Sequence, residues 1–318
     1  MFAADLFIAM LTIGGLSVLA FQIGRRAASN CKVLFIFTII ATAVFSICFQ
    51  GDLGWASLVP HSSAVLLANF TPILLAFVAG FACNGLELRP STRPAIVTAL
   101  SLLAVVCLFA PLVRPAIAPP EVNPTGESKG FVVLQSHDAT CAPASAATLL
   151  QLHGIESNEK EMIGRCLTSQ FGTEALGLYR GIKLGCEGTE FEVGVASRSP
   201  GDWFLKGQLP NVALVRFSEN EFGDSILGSH RSRQPTWIAG SGNGEDGHAV
   251  VIVDYRDGKW TVADPAIGVI KWSDEELRSR FTGDAIFIAR QIRPGAGKIH
   301  EMYQTRDSRD ERFRREIE

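Results

Sequence analysis

Three residues in the second half of the chain could together break an amide bond: Cys141, His248 and Asp264. A thiolate is a strong nucleophile, but it needs a base to form it and an acceptor to orient that base. Cys141 heads the stretch CAPASAATLLQLHG, in which Ala146, Ala147, Leu149, Leu150 and Leu152 favour helix and Gly154 is a natural stop. Pro143 suits a first helical turn, where its missing N–H is not needed. The cysteine therefore falls at a helix N-terminus, whose free N–H groups and positive dipole end favour the thiolate.

Six histidines compete for the role of base. His61 lies in an apolar region, His300 in a charged tail and His230 in an Arg-rich polar stretch. His153 shares the Cys141 helix, but twelve residues on it is about 18 Å along the axis. His137, four residues before Cys141, stays open as the base. His248 is the stronger candidate, because it opens the strand-like run AVVIVDY directly after the glycine-rich GSGNGEDG. A histidine mounted there is held rigidly with one face open. Asp264 ends the next run, WTVADP, and a hairpin turning at Asp257-Gly258 would bring the two open ends together. The alternative for Asp264 is a turn residue before Pro265.

These groups sit in an unevenly divided chain. Of 61 charged residues among 318, eight fall before residue 113, and the mean hydropathy is +0.21. Four uncharged apolar runs, Phe7–Ile23, Val33–Phe49, Ala64–Cys83 and Ala95–Val113, are each 17 to 20 residues long. That length suits a hydrocarbon core of about 30 Å, so residues 1–113 are read as a region of four transmembrane α-helices. The first run lacks the basic flank of a signal peptide and carries Asp5 instead. Arg25, Arg26 and Lys32 lie between runs one and two, and Arg89 and Arg93 between runs three and four. The positive-inside rule puts both loops in the cytoplasm. The residues after Val113 are then expected outside it.

Residues 114–129, RPAIAPPEVNPTGESK, read as an extended Pro-rich linker and not a helix. Beyond it, helical stretches are expected at Glu159–Cys166 and Thr173–Gly185. Strands follow at Phe191–Ala196, Val212–Phe217, Thr236–Ala239, Ala249–Tyr255, Lys259–Ala263, Gly268–Trp272 and Ala285–Ile288. Helices first and antiparallel strands afterwards indicate an α+β domain over 130–292. Residues 293–318 form a tail of mixed charge, solvated or disordered.

Composition excludes some functions. A net charge of -3 with no basic patch argues against a nucleic-acid partner. No C-x-x-C pair exists among the seven cysteines, so a zinc ribbon or thioredoxin-type site is not expected. The reading calls for no metal and no cofactor. Cys166 and Cys186 end successive helical stretches and could be joined in an oxidising compartment, the alternative being two buried free thiols.

QSHDATCAPASAATLLQLHG resembles the cysteine motif of the bacteriocin-processing peptidases, cysteine peptidase family thirty-nine, which cut double-glycine leader peptides. Gln135, Cys141, Ala144 and Gly154 fit that motif without a gap. HAVVIVDYRDGKWTVADPAIG resembles the family's histidine motif, with Asp264-Pro265 sixteen residues after His248. The similarity runs from about Gly130 to Arg290. It implies a papain-like fold in which Cys141 is the nucleophile, His248 the base and Asp264 its orienter. It also implies that Gln135, with the backbone N–H of Cys141, forms the oxyanion hole. Thr140 stands where the family usually has an acidic residue, and Ala142-Pro143 replaces a Gly-containing start. Both departures bear on substrate preference.

The expectation is a multi-pass protein of the bacterial cytoplasmic membrane, with the bilayer and a peptide or protein substrate as partners. A separate export machinery is a further candidate partner, since the chain has no phosphate-loop motif G-x-x-x-x-G-K-[ST] of its own. The alternatives are a non-catalytic docking module for an exporter and acyl transfer other than hydrolysis.

Overall fold

The structure, a computed structural model, describes residues 4–27, 32–84, 91–122, 126–198, 207–217 and 246–291. The expected strand Thr236–Ala239, His230, His300 and the charged tail lie outside these residues.

The apolar third folds into α1 (Ala4–Ala27), α2 (Lys32–Cys48), the short α3 (Trp55–Leu58) and α4 (Ala64–Leu67), α5 (Thr71–Asn84) and α6 (Arg93–Ile117). Three spans are long and apolar enough to cross a membrane by length and composition: Ala4–Ala27, Ala64–Asn84 and Arg93–Ile117. The second expected span falls short. It makes a helix of 17 residues, about 25 Å long against a core of about 30 Å. The third is interrupted after Ala68, just before Pro72, which cannot donate a helical hydrogen bond.

α5 occupies the centre of the bundle, packed on α1, α2 and α6. Two glycines make its closest contact possible. A Cβ at Gly24 would run into the Phe77 carbonyl, and one at Gly80 into the Phe21 carbonyl. Small residues of this kind let two helix backbones approach closely. Phe7, Ile8, Val18, Phe37, Ile47 and Leu102 stay exposed on the outer helices.

α6 continues through Ile117, four residues into the stretch read as an extended linker. Pro111 and Pro115 lie inside it. Its last turn is held by contacts to the following domain: Arg114 pairs with Glu174 at 3.3 Å, and the Gln170 N–H donates to the Ala118 carbonyl at 2.7 Å. Tertiary bonding at the helix end outweighs the hydrogen bonds the prolines remove.

The remainder is an α+β domain. A two-stranded hairpin, β1 (Ser128–Lys129) and β2 (Val132–Val133), leads to α7 (Cys141–Leu152), α8 (Glu159–Arg165) and α9 (Ala175–Gly185). Six strands follow: β3 (Phe191–Ala196), β4 (Asn211–Phe217), β5 (Asp246–Arg256), β6 (Lys259–Asp264), β7 (Gly268–Ser273) and β8 (Phe281–Arg290). They form one sheet in the order β3-β8-β4-β5-β6-β7, and every pairing is antiparallel. α10 (Asp274–Arg280), between β7 and β8, opens with a capping box of Ser273 and Glu276. The signature Ser-x-x-Glu stood in the sequence and no helix was expected there.

Bundle and domain are fastened at one end. The Arg180 guanidinium on α9 donates to Asp5 of α1 at 2.7 Å and to the Ser62 carbonyl at 3.3 Å. Ser62 Oγ donates to the same carboxylate oxygen at 2.6 Å. Arg198 pairs with Asp52 and lies 5.7 Å above the Phe49 ring. One apolar cluster runs through both parts, joining Leu6, Leu66 and Leu112 to Leu150, Tyr179 and Ile182.

With side-chain exposures of 4% and 14%, Arg180 and Asp5 are an ion pair removed from water, where loss of one partner strands the other. Arg180→Ala should destabilise the protein by about 3–5 kcal/mol, read as unfolding in detergent. A double Asp5→Leu/Arg180→Leu variant should recover most of that loss.

Candidate active site

Cys141 is placed by the turn before it. Residues Asp138–Thr140 form a single 3-10 turn whose cap is His137. The Ala139 N–H donates to His137 Nδ1 at 3.0 Å, and the His137 N–H donates to Thr140 Oγ1 at 3.1 Å. Thr140 is fully buried, so the residue that departs from the family motif serves this turn. With its hydroxyl occupied there, Thr140 makes no side-chain cap on α7. Small buried residues, Ala142, Ala144, Ala146 and Ala147, let α7 lie directly on β5.

The segment ahead of the turn is pinned through its backbone. The Val133 N–H donates to Thr148 Oγ1 at 3.0 Å, and the Ser136 N–H to buried Glu159 at 2.8 Å. Between them, the Gln135 N–H donates to the Pro265 carbonyl at 2.8 Å. Gln135 is thus tied to the residue after Asp264, and its side-chain carbonyl is buried with no hydrogen-bond partner among the described residues.

His248 and Asp264 meet as the hairpin geometry requires. β5 and β6 pair antiparallel, with Val251 opposite Ala263, so His248 and Asp264 stand near the open end. His248 Nε2 donates to Asp264 Oδ1 at 3.0 Å, which leaves Nδ1 for Cys141. Asp264 also accepts from the Ala266 N–H at 2.8 Å. The side chains of His248 and Asp264 are 11% and 7% exposed. Phe217 packs 5.7 Å from the imidazole, and Arg280 lies 5.2 Å from Phe217 and 4.9 Å from Trp272.

The electrostatics follow from this packing. Burial opposes charge on the Cys141 thiol, but the His248 charge and hydrogen bond, with the Ala249 N–H, hold it below the ordinary thiol value. Burial likewise opposes an imidazolium at His248. The Cys141 thiolate and the Asp264 carboxylate overcome it and raise the imidazole well above its usual value. Asp264 is held below the usual carboxylate range: against burial stand the bond to His248, the His248 charge, the Ala266 N–H and Arg280. At each of the three residues the neighbours favour the charged form against burial.

The other described histidines are otherwise engaged. His61 Nδ1 bonds Ser63 at 2.8 Å. His153 caps the end of α7 against Phe191. His137 Nδ1 is taken by the turn, whereas His248 is the described histidine bonded to a carboxylate.

The Cys166–Cys186 disulfide is not formed; both thiols are free and buried. The cause is a pair of glycines. Gly177 and Gly181 admit the end of α8 to the middle of α9, where a Cβ at Gly181 would collide with the Cys166 sulfur. Cys186 caps α9, about 7 Å further along its axis. Burial pushes Cys166 up to about 12 and Cys186 up to about 11.

The model of the Peptidase C39 family matches residues 211–292, the stretch from β4 through β8 that carries His248 and Asp264. The family resembled by the sequence motifs is the same one. An uncharacterised protein of Methanothermobacter marburgensis is 23% identical over 163 residues, 50% of this chain and 89% of that protein. The peptidase domain of Streptococcus ComA, a bi-functional ABC transporter of a quorum-sensing pathway, is 21% identical with a TM-score of 0.38, covering 51% of this chain and 100% of that one. A double glycine motif protease from an AMS/PCAT transporter, solved with a leader peptide, is 19% identical with a TM-score of 0.36, covering 54% and 97%.

A lowered thiol predicts selective chemistry. Native protein treated with a haloacetamide at about pH 6, below the ordinary thiol value of about 8.5, should be alkylated at Cys141 while Cys166 and Cys186 react only after unfolding. His248→Ala removes the charge that offsets burial, so the acid limb of the rate should move up, past the free-thiol value. An unshifted limb would dissociate His248 from the thiolate.

Proposed function

We propose that this chain is a membrane-anchored cysteine endopeptidase acting on a peptide or small protein. The observation that carries the reading is the His248–Asp264 hydrogen bond beside a cysteine at a helix N-terminus, with His248 favouring charge on that cysteine. The Cys141 thiolate attacks the scissile carbonyl carbon, and the carbonyl π electrons move onto oxygen. Gln135 and the Cys141 N–H stabilise that oxyanion, Gln135 as a fixed neutral donor. The imidazolium then gives its proton to the departing amine as the C–N bond breaks, leaving a thioester on Cys141. Neutral His248 takes a proton from water, which attacks the thioester and returns the thiolate and imidazolium. Asp264 keeps the imidazole oriented through both steps.

The residues that tie the domain to the bundle, Asp5, Asp52 and Arg114, come from the start of α1, the loop after α2 and the end of α6. Arg25, Arg26 and Arg93 lie at the opposite helix ends. Read with the positive-inside rule, that polarity supports an extracytoplasmic peptidase domain. Substrates would then be met outside the cytoplasm, beside any separate export machinery.

Turnover of a quenched-fluorescence peptide library by detergent-purified protein tests the reading. Cys141→Ala should remove about three to six orders of magnitude in rate. Gln135→Ala should lower kcat by about a hundred- to a thousandfold and leave Cys141 alkylation intact, because it acts on the oxyanion and not on the thiolate. Full turnover by Cys141→Ala would reject the assignment.

A further inference from the structure

The Cys141 helix and the His248 strand are joined at one residue. Ala249 follows His248, and its N–H is among the groups that favour charge on the Cys141 sulfur. Its carbonyl accepts a hydrogen bond from Ser145 Oγ at 2.8 Å. Ser145 stands four residues after Cys141, so the two side chains leave the same face of α7 about 6 Å apart along the axis. The residue beside His248 is thus held by the turn of α7 that follows Cys141.

On one edge Ala249 stands opposite Leu214 of β4; the other edge faces the end of β6. Continuing the β5–β6 register from Val251 opposite Ala263 brings Pro265 opposite Ala249, and proline has no N–H to offer. Ser145 is also the exception on its helix face. It is 1% exposed among buried alanines, and a serine inside a helix ordinarily bonds back to the carbonyl four residues earlier. Thr148 does so, donating to the Ala144 carbonyl at 3.0 Å. Ser145 reaches across to β5 instead.

We propose that Ser145 is a positioning residue for the reactive pair: its hydroxyl fixes Ala249, and with it the His248 backbone, at the height on α7 where the imidazole meets the thiolate. The proposal rests on the Cys141–His248 pair being the reactive one. Displacements of about 1 Å at such sites can cost about a hundredfold in rate.

The test measures, for wild type, Ser145→Ala and Ser145→Thr, the pH profile of Cys141 alkylation, kcat and KM on one peptide, and the unfolding midpoint. In Ser145→Ala the acid limb of alkylation should move up by about half a pH unit or more. Its kcat should fall about ten- to a hundredfold, with KM changed less than about threefold. Ser145→Thr, which keeps the hydroxyl, should restore the profile; if its methyl group prevents folding, Ser145→Ala alone decides. A Ser145→Ala protein with a lower unfolding midpoint but wild-type profile and kcat would overturn the proposal, reducing the hydroxyl to a packing bond. A wild-type Cys141 titrating as an ordinary thiol would overturn the reactive pair itself, and the proposal with it.

Discussion

The proposed chemistry of the α+β domain depends on keeping two opposite charges together out of water. An isolated thiolate or imidazolium at this depth would give up its charge, because desolvation of an unpaired ion costs several kcal/mol. The pair survives because each partner is compensated separately. Cys141 has the positive end of α7 and the Ala249 N–H; His248 has Asp264, which in turn has Ala266 and the field of Arg280. Each support comes from a different element, so the site exists only when α7 is seated on β5 and the β5–β6 hairpin has closed. The alanine-lined face of α7 and the proline that ends β6 are therefore part of the electrostatics.

The second constraint is the seat of that domain. Arg180 is buried against Asp5, and Arg114 and Arg198 find carboxylates of their own across the same boundary. The last turn of α6 passes directly into these contacts. The α+β domain is consequently packed on the bundle through ion pairs and a shared apolar cluster. A substrate would have to approach from the faces that this contact leaves open.

What the sequence made legible was local. The helix beginning at Cys141 could be read from its alanines and leucines, and the meeting of His248 with Asp264 from the Asp257-Gly258 turn between two strands. Both are short-range consequences of propensity and register. What it hid was mostly non-local. Nothing in the sequence marks Asp5 as the partner of Arg180, 175 residues away. Of the two states open to Cys166 and Cys186, the free thiols are found, because Gly177 and Gly181 let α8 enter the middle of α9. α6 ran past its proline signal because Glu174 and Gln170 hold its last turn. The Ser273–Glu276 box was the opposite case, a local signal that was present and passed over. Thr140, read as a departure bearing on substrate, is occupied by the turn that delivers Cys141.

The central claim is that Cys141 carries the acyl group during turnover. Acid-quenching the purified protein within its first turnover on a peptide ester, followed by intact-mass and peptide-mapping spectrometry, tests it directly. The account requires a mass increase equal to the acyl half of the substrate, mapped to Cys141 and absent from Cys141→Ala. Substrate cleavage with no adduct on Cys141, or an adduct on another residue, would contradict it.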